Sequence, residues 1–294
     1  MPRSLLRTTA FRFLSIAALA AALAACGGGG GGGGGADRDD ADASALAEGR
    51  NGSDGGTAPS QPASAVAAPF AAGTGTPPGY FLNGVGSQVM GQLDTFTQSA
   101  SGAMTALNDR TLTGTATATQ DISGDAFHAQ GRWTLGTVTS SAGADVLRGN
   151  NAAYHYLAYR RLTAFPASGT FACDAGRFTA PTYVGGALVP ASAHSGTATG
   201  SASLTFDGSG ATVTARFSVQ AGSGADAGSD TGDIAATVTG PTHSSIGGDY
   251  LGGSAGTVTA IGDGGGGSYL VAVAYKAALS NGAHYQGMAS FRCR

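Results

Sequence analysis

Strict alternation between residues 202 and 219 most narrows the folds open to this chain. Ala202, Leu204 and Phe206 lead into Asp207-Gly208-Ser209-Gly210, and Val213, Ala215, Phe217 and Val219 lead out. A period of two places each set on one face of a strand. The Asp-Gly-Ser-Gly insert carries turn chemistry, so the stretch predicts a hairpin. The same period returns later. Tyr269, Val271, Val273 and Tyr275 alternate with Leu270, Ala272, Ala274 and Lys276. Asn281-Gly282 follows, a turn pair in which both residues tolerate positive φ. Tyr285, Gly287, Ala289, Phe291 and Cys293 then share one face of a further strand, and residues 234–238 and 257–261 predict shorter ones.

Residues 80–165 read less sharply. Val89, Leu93, Phe96, Ala100, Met104 and Leu107 fit a helical face, whereas Thr95, Thr97, Ser99 and Ser101-Gly102 suit a hairpin. Residues 88–107 thus leave strand and helix both open, with two strands the expectation. Residues 111–119 alternate Thr with Ala and Gly. Phe127, Ala129, Gly131, Trp133 and Leu135 share a face opposite His128, Gln130, Arg132 and Thr134, the pattern of a half-buried strand. Residues 154–162 predict another.

Glycine supplies 51 of 294 residues and charged residues only 11%. With Thr, Ser and Ala also abundant, this argues for many short strands and against long amphipathic helices. Sheet edges attract other chains and closure removes them. The expectation is an all-β fold, an antiparallel up-and-down barrel of about eight strands with a few flanking strands.

The N-terminus reads as an address. Arg3, Arg7 and Arg12 precede an apolar, alanine-rich stretch at 13–22, too short for a membrane span. Leu23-Ala24-Ala25-Cys26 resembles a bacterial lipobox, which implies lipidation of Cys26 and cleavage just before it. Gly27 behind that cysteine leans towards the outer membrane by the same resemblance. Residues 1–25 are then a lipoprotein signal peptide, 26–79 a lipidated cysteine and tether, and 80–294 the barrel domain. The nine glycines at 27–35, followed by Asp37, Asp39, Asp40 and Asp42, have nothing to bury and predict a disordered spacer. About fifty residues of such chain reach about 35–42 Å. Three acyl chains, which the lipobox family adds, anchor stably to a membrane.

Loss of residues 1–25 removes three of 15 basic residues and no acid, so 12 stand against 18 acidic residues, net −6. No basic stripe exists to meet nucleic acid. An exported chain meets oxidising conditions, and Cys173 and Cys293 are the only cysteines beyond Cys26. Each lies two residues after a phenylalanine on an inward face, so a disulfide between them is expected.

Gly131-Arg132-Trp133-Thr134, Tyr154-His155-Tyr156, the run from Phe165 through Pro-Ala-Ser-Gly-Thr to Phe171, and the run from Gly200 through Ser-Ala-Ser-Leu-Thr to Phe206 resemble, in this order, the barrel domain of transferrin-binding protein B-like lipoproteins. The resemblance covers residues 85–294. It implies an eight-stranded barrel, often with a strand-rich handle domain, on the outer surface of a Gram-negative cell. It also implies partners such as a host protein, an iron carrier or another solute. The chain is too short for two full lobes, and its loops are poor in charged and aromatic anchors. Fold and location carry over; transferrin binding and binding residues do not. The alternative is a structural envelope lipoprotein facing the periplasm with no soluble ligand.

Catalytic and metal patterns do not accumulate. Gly252-Gly253-Ser254-Ala255-Gly256 matches a nucleophile-elbow pattern, but a chain this rich in Gly and Ser produces about one such match by chance. His128, His155, His194, His243 and His284 have neither i, i+4 spacing nor a carboxylate cluster. His194 and His243 lie in loops; a haem contact from a barrel mouth is the sharper reading, and solvated loop side chains are the expectation. Glu48, the only glutamate, falls in the tether, and most aspartates outside it fall in turns such as Asp207-Gly208 and Asp263-Gly264. Tyr154, Tyr156 and Tyr159 with Arg160 and Arg161 form the densest aromatic and basic cluster, a candidate partner patch. No enzyme activity, cofactor or metal is expected, and the ligand-binding residues stay unassigned.

Overall fold

The computed structural model describes residues 65–84, 86–248 and 255–294. Cys26, residues 27–64 of the tether and Ser254 of the nucleophile-like pattern lie outside them. The described chain is all-β, with short 3₁₀ turns at Ala191–Ala193 and Gly224–Asp226 and no α-helix.

The first nine strands are β1 (Ala65–Val66), β2 (Gly79–Gly84), β3 (Ser87–Gln92), β4 (Phe96–Gln98), β5 (Met104–Leu107), β6 (Arg110–Asp125), β7 (His128–Ser140), β8 (Gly143–Arg148) and β9 (Tyr154–Tyr159). They form one sheet. Its main path, β3-β2-β9-β7-β6-β5-β4, is antiparallel and curls as a half-barrel, with β8 added to β7 and β1 running parallel to β6. Residues 88–107 therefore resolve into three strands. The apolar set that mimics a helical face serves the sheet instead: Leu93, Met104 and Leu107 enter the core inside the curl. Folded structure also begins earlier than composition implies. Phe70, within the expected tether, is buried in that core, and Ala67 N–H donates to the Gly124 carbonyl at 2.9 Å.

Trp133 centres this core. Its indole N–H donates to the Met104 carbonyl at 2.6 Å, satisfying the ring's one polar atom. Tyr156 lies across from Gly131 in the β7–β9 ladder, and a Cβ on Gly131 would stand 2.4 Å from the tyrosine oxygen. The glycine is there to admit the ring.

The remaining strands are β10 (Gly169–Ala172), β11 (Arg177–Phe178), β12 (Thr182–Gly186), β13 (Gly196–Phe206), β14 (Ala211–Ala221), β15 (Gly228–Val238), β16 (Ser245–Gly248), β17 (Ala255–Gly265), β18 (Ser268–Ala278) and β19 (Ala283–Cys293). One sheet runs β10-β13-β14-β15, and another runs β16-β17-β18-β19 with β11 and β12 both on β19. The two share a core. Leu204, Phe206, Val213, Phe217 and Val219 meet Val271, Val273, Tyr275, Tyr285 and Phe291. β15 runs beside β16, and β10 meets β19 through an antiparallel bridge at Cys173 and Cys293. Eight strands, β10 and β13–β19, thus follow one another around one interior. The expected hairpin is β13–β14, in register from Phe206–Ala211 to Gly196–Ala221. The strands outside this group are the nine-stranded sheet together with β11 and β12, rather than a few flanking ones.

At Asn281-Gly282 only the glycine has positive φ, 80°. Gly282 N–H bonds the Leu279 carbonyl at 2.8 Å and Leu279 N–H bonds the Ala283 carbonyl at 2.9 Å. The loop is a turn closed by a left-handed glycine, one residue longer than the two-residue turn the dipeptide predicts.

The first sheet packs on the outer faces of β17–β19. Phe81, Leu157 and Tyr159 meet Val258, Ala260, Leu270, Ala272 and Met288. Both faces of β18 are therefore buried, which is why residues 269–275 are apolar on both.

Candidate functional site

The seam between the first sheet and β17–β19 carries most of the buried polar side chains. β7 places Ala129 and Trp133 in the first core and turns His128, Gln130, Arg132 and Thr134 towards the seam, where all four are buried. The expected solvent face of this strand is an interior one, because a second layer of strands covers it.

Arg132 is 2% exposed and fully engaged. Its Nε donates to Asp121 Oδ2, one terminal nitrogen to Asn150 Oδ1 at 2.8 Å and the other to Gln120 Oε1 at 3.0 Å. Asp121 sits at φ 52°, within the register shift of β6 between Gln120 and Ser123. Such an irregularity re-aims a side chain, and here the carboxylate also accepts the Ala180 backbone N–H at 2.8 Å. His155 lies on the opposite face of β9 from Tyr154 and Tyr156. Its Nδ1 is 2.7 Å from Thr179 Oγ1 and its Nε2 is 2.6 Å from Thr182 Oγ1. Hydroxyls both donate and accept, so a neutral imidazole is satisfied there. Burial, reinforced by the Arg132 charge, holds the ring's pKa well below its usual value. Gln286 Nε2 donates to the Asn83 carbonyl at 3.3 Å, while both side-chain polar atoms of Asn83 lack a protein partner.

At one end the seam opens into a cleft of about 360 Å³ lined by Ser123, Asp125, His128, Arg177, Ser290 and Arg292 among others. Asp125 accepts from Arg292 and from the Phe127 N–H at 2.8 Å, and its Oδ1 is 3.3 Å from His128 Nδ1, a contact without hydrogen-bond alignment. Burial pushes the Asp125 carboxyl up; His128, the Phe127 N–H and Arg292 outweigh it and hold the group well below the usual carboxylate range.

A larger opening of about 630 Å³ lies where β13 begins, β14 ends and β15 begins. Ser195, Thr197, Gln220, Ser223, Ser229 and Ser280 line it with small neutral groups. Within two residues along β15, Asp230 has an Oδ2 that is buried without a partner, and burial raises its pKa. His194 lies between two residues lining this opening, but its ring stacks on Tyr183 at 5.1 Å and its Nε2 is 3.3 Å from the Val189 carbonyl. The ring is turned to the protein rather than to a ligand. His243 sits in a turn closed by its own N–H to the Gly240 carbonyl at 3.0 Å.

The candidate aromatic and basic patch does not assemble. Tyr154 and Tyr156 enter the first core and Tyr159 the seam. Arg160 covers the Phe127 ring at 4.8 Å, and Arg161 donates to the Gly91 carbonyl at 3.0 Å. Alternation along β9 sends neighbouring side chains to opposite layers. Cys173 and Cys293 do come together, with their sulfurs at disulfide distance. Sequence reasoning missed Asp121, Thr179, Thr182 and Gln286. The only signal available was that Gln130 and Arg132 recur on one face of a strand whose other face holds Trp133.

Comparison with family models, curated proteins and solved structures returns no match. Any functional reading therefore rests on residues and geometry.

Proposed function

We propose that this chain is a non-enzymatic outer-membrane lipoprotein that displays its strand-rich body at the cell surface to bind a host protein, an iron carrier or another solute. The observation carrying this reading is the order of parts. A lipobox-like Leu23-Ala24-Ala25-Cys26 and a glycine-rich segment precede a curled sheet, and the curled sheet precedes eight antiparallel strands around one core. Transferrin-binding protein B-like lipoproteins, which the sequence resembles, combine a strand-rich handle with an eight-stranded barrel behind a lipidated cysteine. Lipid on Cys26 supplies the membrane attachment; among the described residues no helix is long and apolar enough to cross a bilayer.

A second reading is a structural lipoprotein facing the periplasm. The opening beside β13–β15 favours it, since its lining offers no aromatic or arginine anchor of the kind that dominates protein interfaces. Proteolysis of intact cells separates the two. Surface display predicts loss of the folded body while periplasmic markers survive. Full protection in intact cells and digestion only after outer-membrane permeabilisation would leave the structural reading standing.

A further inference from the structure

Two cross-strand pairs meet at the cleft at the end of the seam, and Ser123, Arg177 and Ser290 of these pairs line it. Ser123 is opposite Gln130 in β6–β7, and Arg177 is opposite Ser290 in β11–β19. Directly opposed residues of an antiparallel ladder project to the same face, so each pair presents its side chains together. Gln130 joins the two pairs by donating to the Arg177 carbonyl at 3.2 Å. Leu270 and Phe291 contribute apolar lining, and Val66 and Ala67 of the incoming chain close one side.

Two hydroxyls of the lining lack partners, and behind them Gln130 Oε1 is a buried acceptor that also lacks one. Ser290 is 3% exposed and its Oγ has no partner; Ser123 is 9% exposed and its Oγ is likewise buried and unpaired. A buried polar atom without a partner is unfavourable, and a ligand that accepts its hydrogen bond relieves it. Arg177 is exposed and engaged only through its backbone, which leaves its guanidinium fork without an ion pair among the described residues. The acidic groups are already occupied. Asp125 is held by Arg292 and the Phe127 N–H, and Asp174 Oδ1 accepts the backbone N–H groups of Gly176 and Arg292, each at 3.0 Å. Along the lining itself, the groups left without a partner among the described residues are the Arg177 fork, the two hydroxyls and His128 Nδ1, a set that suits an acceptor carrying negative charge.

We infer that this cleft binds a small oxyanion, a phosphate or carboxylate group, with Arg177 as the charged clamp and the Ser123 and Ser290 hydroxyls as donors behind it. A planar guanidinium matches either group with two parallel hydrogen bonds. The volume of about 360 Å³ lies at the small end of ligand pockets and suits a compact anion rather than a polymer. The site is separate from the opening beside β13–β15 and does not depend on which side of the membrane the protein faces.

The test is calorimetric titration of the unacylated full chain with inorganic phosphate at constant ionic strength, with chloride as the control. Phosphate is expected to bind saturably and chloride not. Arg177→Gln removes an exposed side chain that has no ion pair among the described residues, and is expected to weaken phosphate binding by about tenfold or more, the loss of one charge-assisted hydrogen-bonded pair. Ser290→Ala is expected to weaken it while leaving the thermal midpoint in place or higher. Equal phosphate affinity in Arg177→Gln, or no saturable binding above chloride, overturns the assignment. So does binding to phosphatidylglycerol vesicles without binding of soluble phosphate, which would make the cleft a lipid-surface contact.

Discussion

Tyr275 and Gly287 are direct partners across β18 and β19, and the tyrosine ring fills the space that a side chain at 287 would need. A Cβ there would stand 2.3 Å from the tyrosine oxygen and 2.4 Å from Cζ. The ring is hemmed in by Phe217 at 5.2 Å and Phe178 at 6.5 Å, so it has nowhere to retreat. Gly287→Ala is expected to destabilise the fold by about 1–3 kcal/mol, the usual cost of overpacking, read from urea midpoints. Tyr275→Phe removes a buried hydroxyl that has no protein partner. Its midpoint is expected to stay or rise, and a fall of more than about 1 kcal/mol would mean the hydroxyl is hydrogen-bonded after all.

Stability is expected to fall in mild acid because of His155. Its folded pKa is depressed by burial, then by Arg132, so the unfolded chain binds the proton more readily. The stabilisation is fully present above the unfolded value of about 6.5 and is lost progressively as pH falls below it. One such group gives a slope of at most about 1.4 kcal/mol per pH unit. Urea unfolding at pH 7.5, 6 and 5 measures it, and His155→Gln is expected to flatten the slope. Asp125 acts in a separate, more acidic window: its folded pKa is depressed, so its contribution holds above the ordinary carboxylate range and is lost only as pH falls through it.

Arg132 and Asp121 form a pair that cannot be broken from one side. Arg132→Met would leave the Asp121 carboxylate in the seam, 12% exposed, with only the Ala180 N–H as a remaining partner. A loss of about 3–5 kcal/mol is expected. Arg132→Lys keeps the charge but has no fork to reach Asp121, Asn150 and Gln120 together, so only partial rescue is expected. Thermal unfolding of the two variants ranks them, and equal midpoints would deny the fork its role.

Cys173 and Cys293 are 120 residues apart. Closing a loop of that length is worth about 4–5 kcal/mol in the chain-entropy model. Replacing both cysteines by alanine is expected to lower the unfolding free energy by about that amount. Thiol labelling of the denatured, unreduced protein is expected to find neither Cys173 nor Cys293 reactive, and labelling of both would refute the bond.

Legibility in the sequence followed from how many layers cover a strand. β13 and β14 have one buried face and one wet face, so Leu204, Phe206, Val213 and Phe217 announced them by alternation alone. β7 has a core on one side and a polar interior on the other, and alternation cannot tell a solvated face from one that buries Gln130 and Arg132. The segment around Leu93 and Met104 read as ambiguous, though strands were the expectation, for a different reason. Three short strands separated by turns gave apolar spacings that fall by accident near a helical period. The cleft was hidden altogether, because Ser123, Arg177 and Ser290 come from three distant stretches that only the register of β6, β11 and β19 brings together.

β19 hydrogen-bonds β18 along nearly its whole length, takes β11 and β12 on its other side, and meets β10 at Cys293. Every strand it joins is made before it. A polypeptide synthesised amino end first therefore keeps β10, β11, β12 and β18 waiting for their shared neighbour. The second half can complete its sheet only once residue 293 has left the ribosome, so the strand made last is the one that draws the others together.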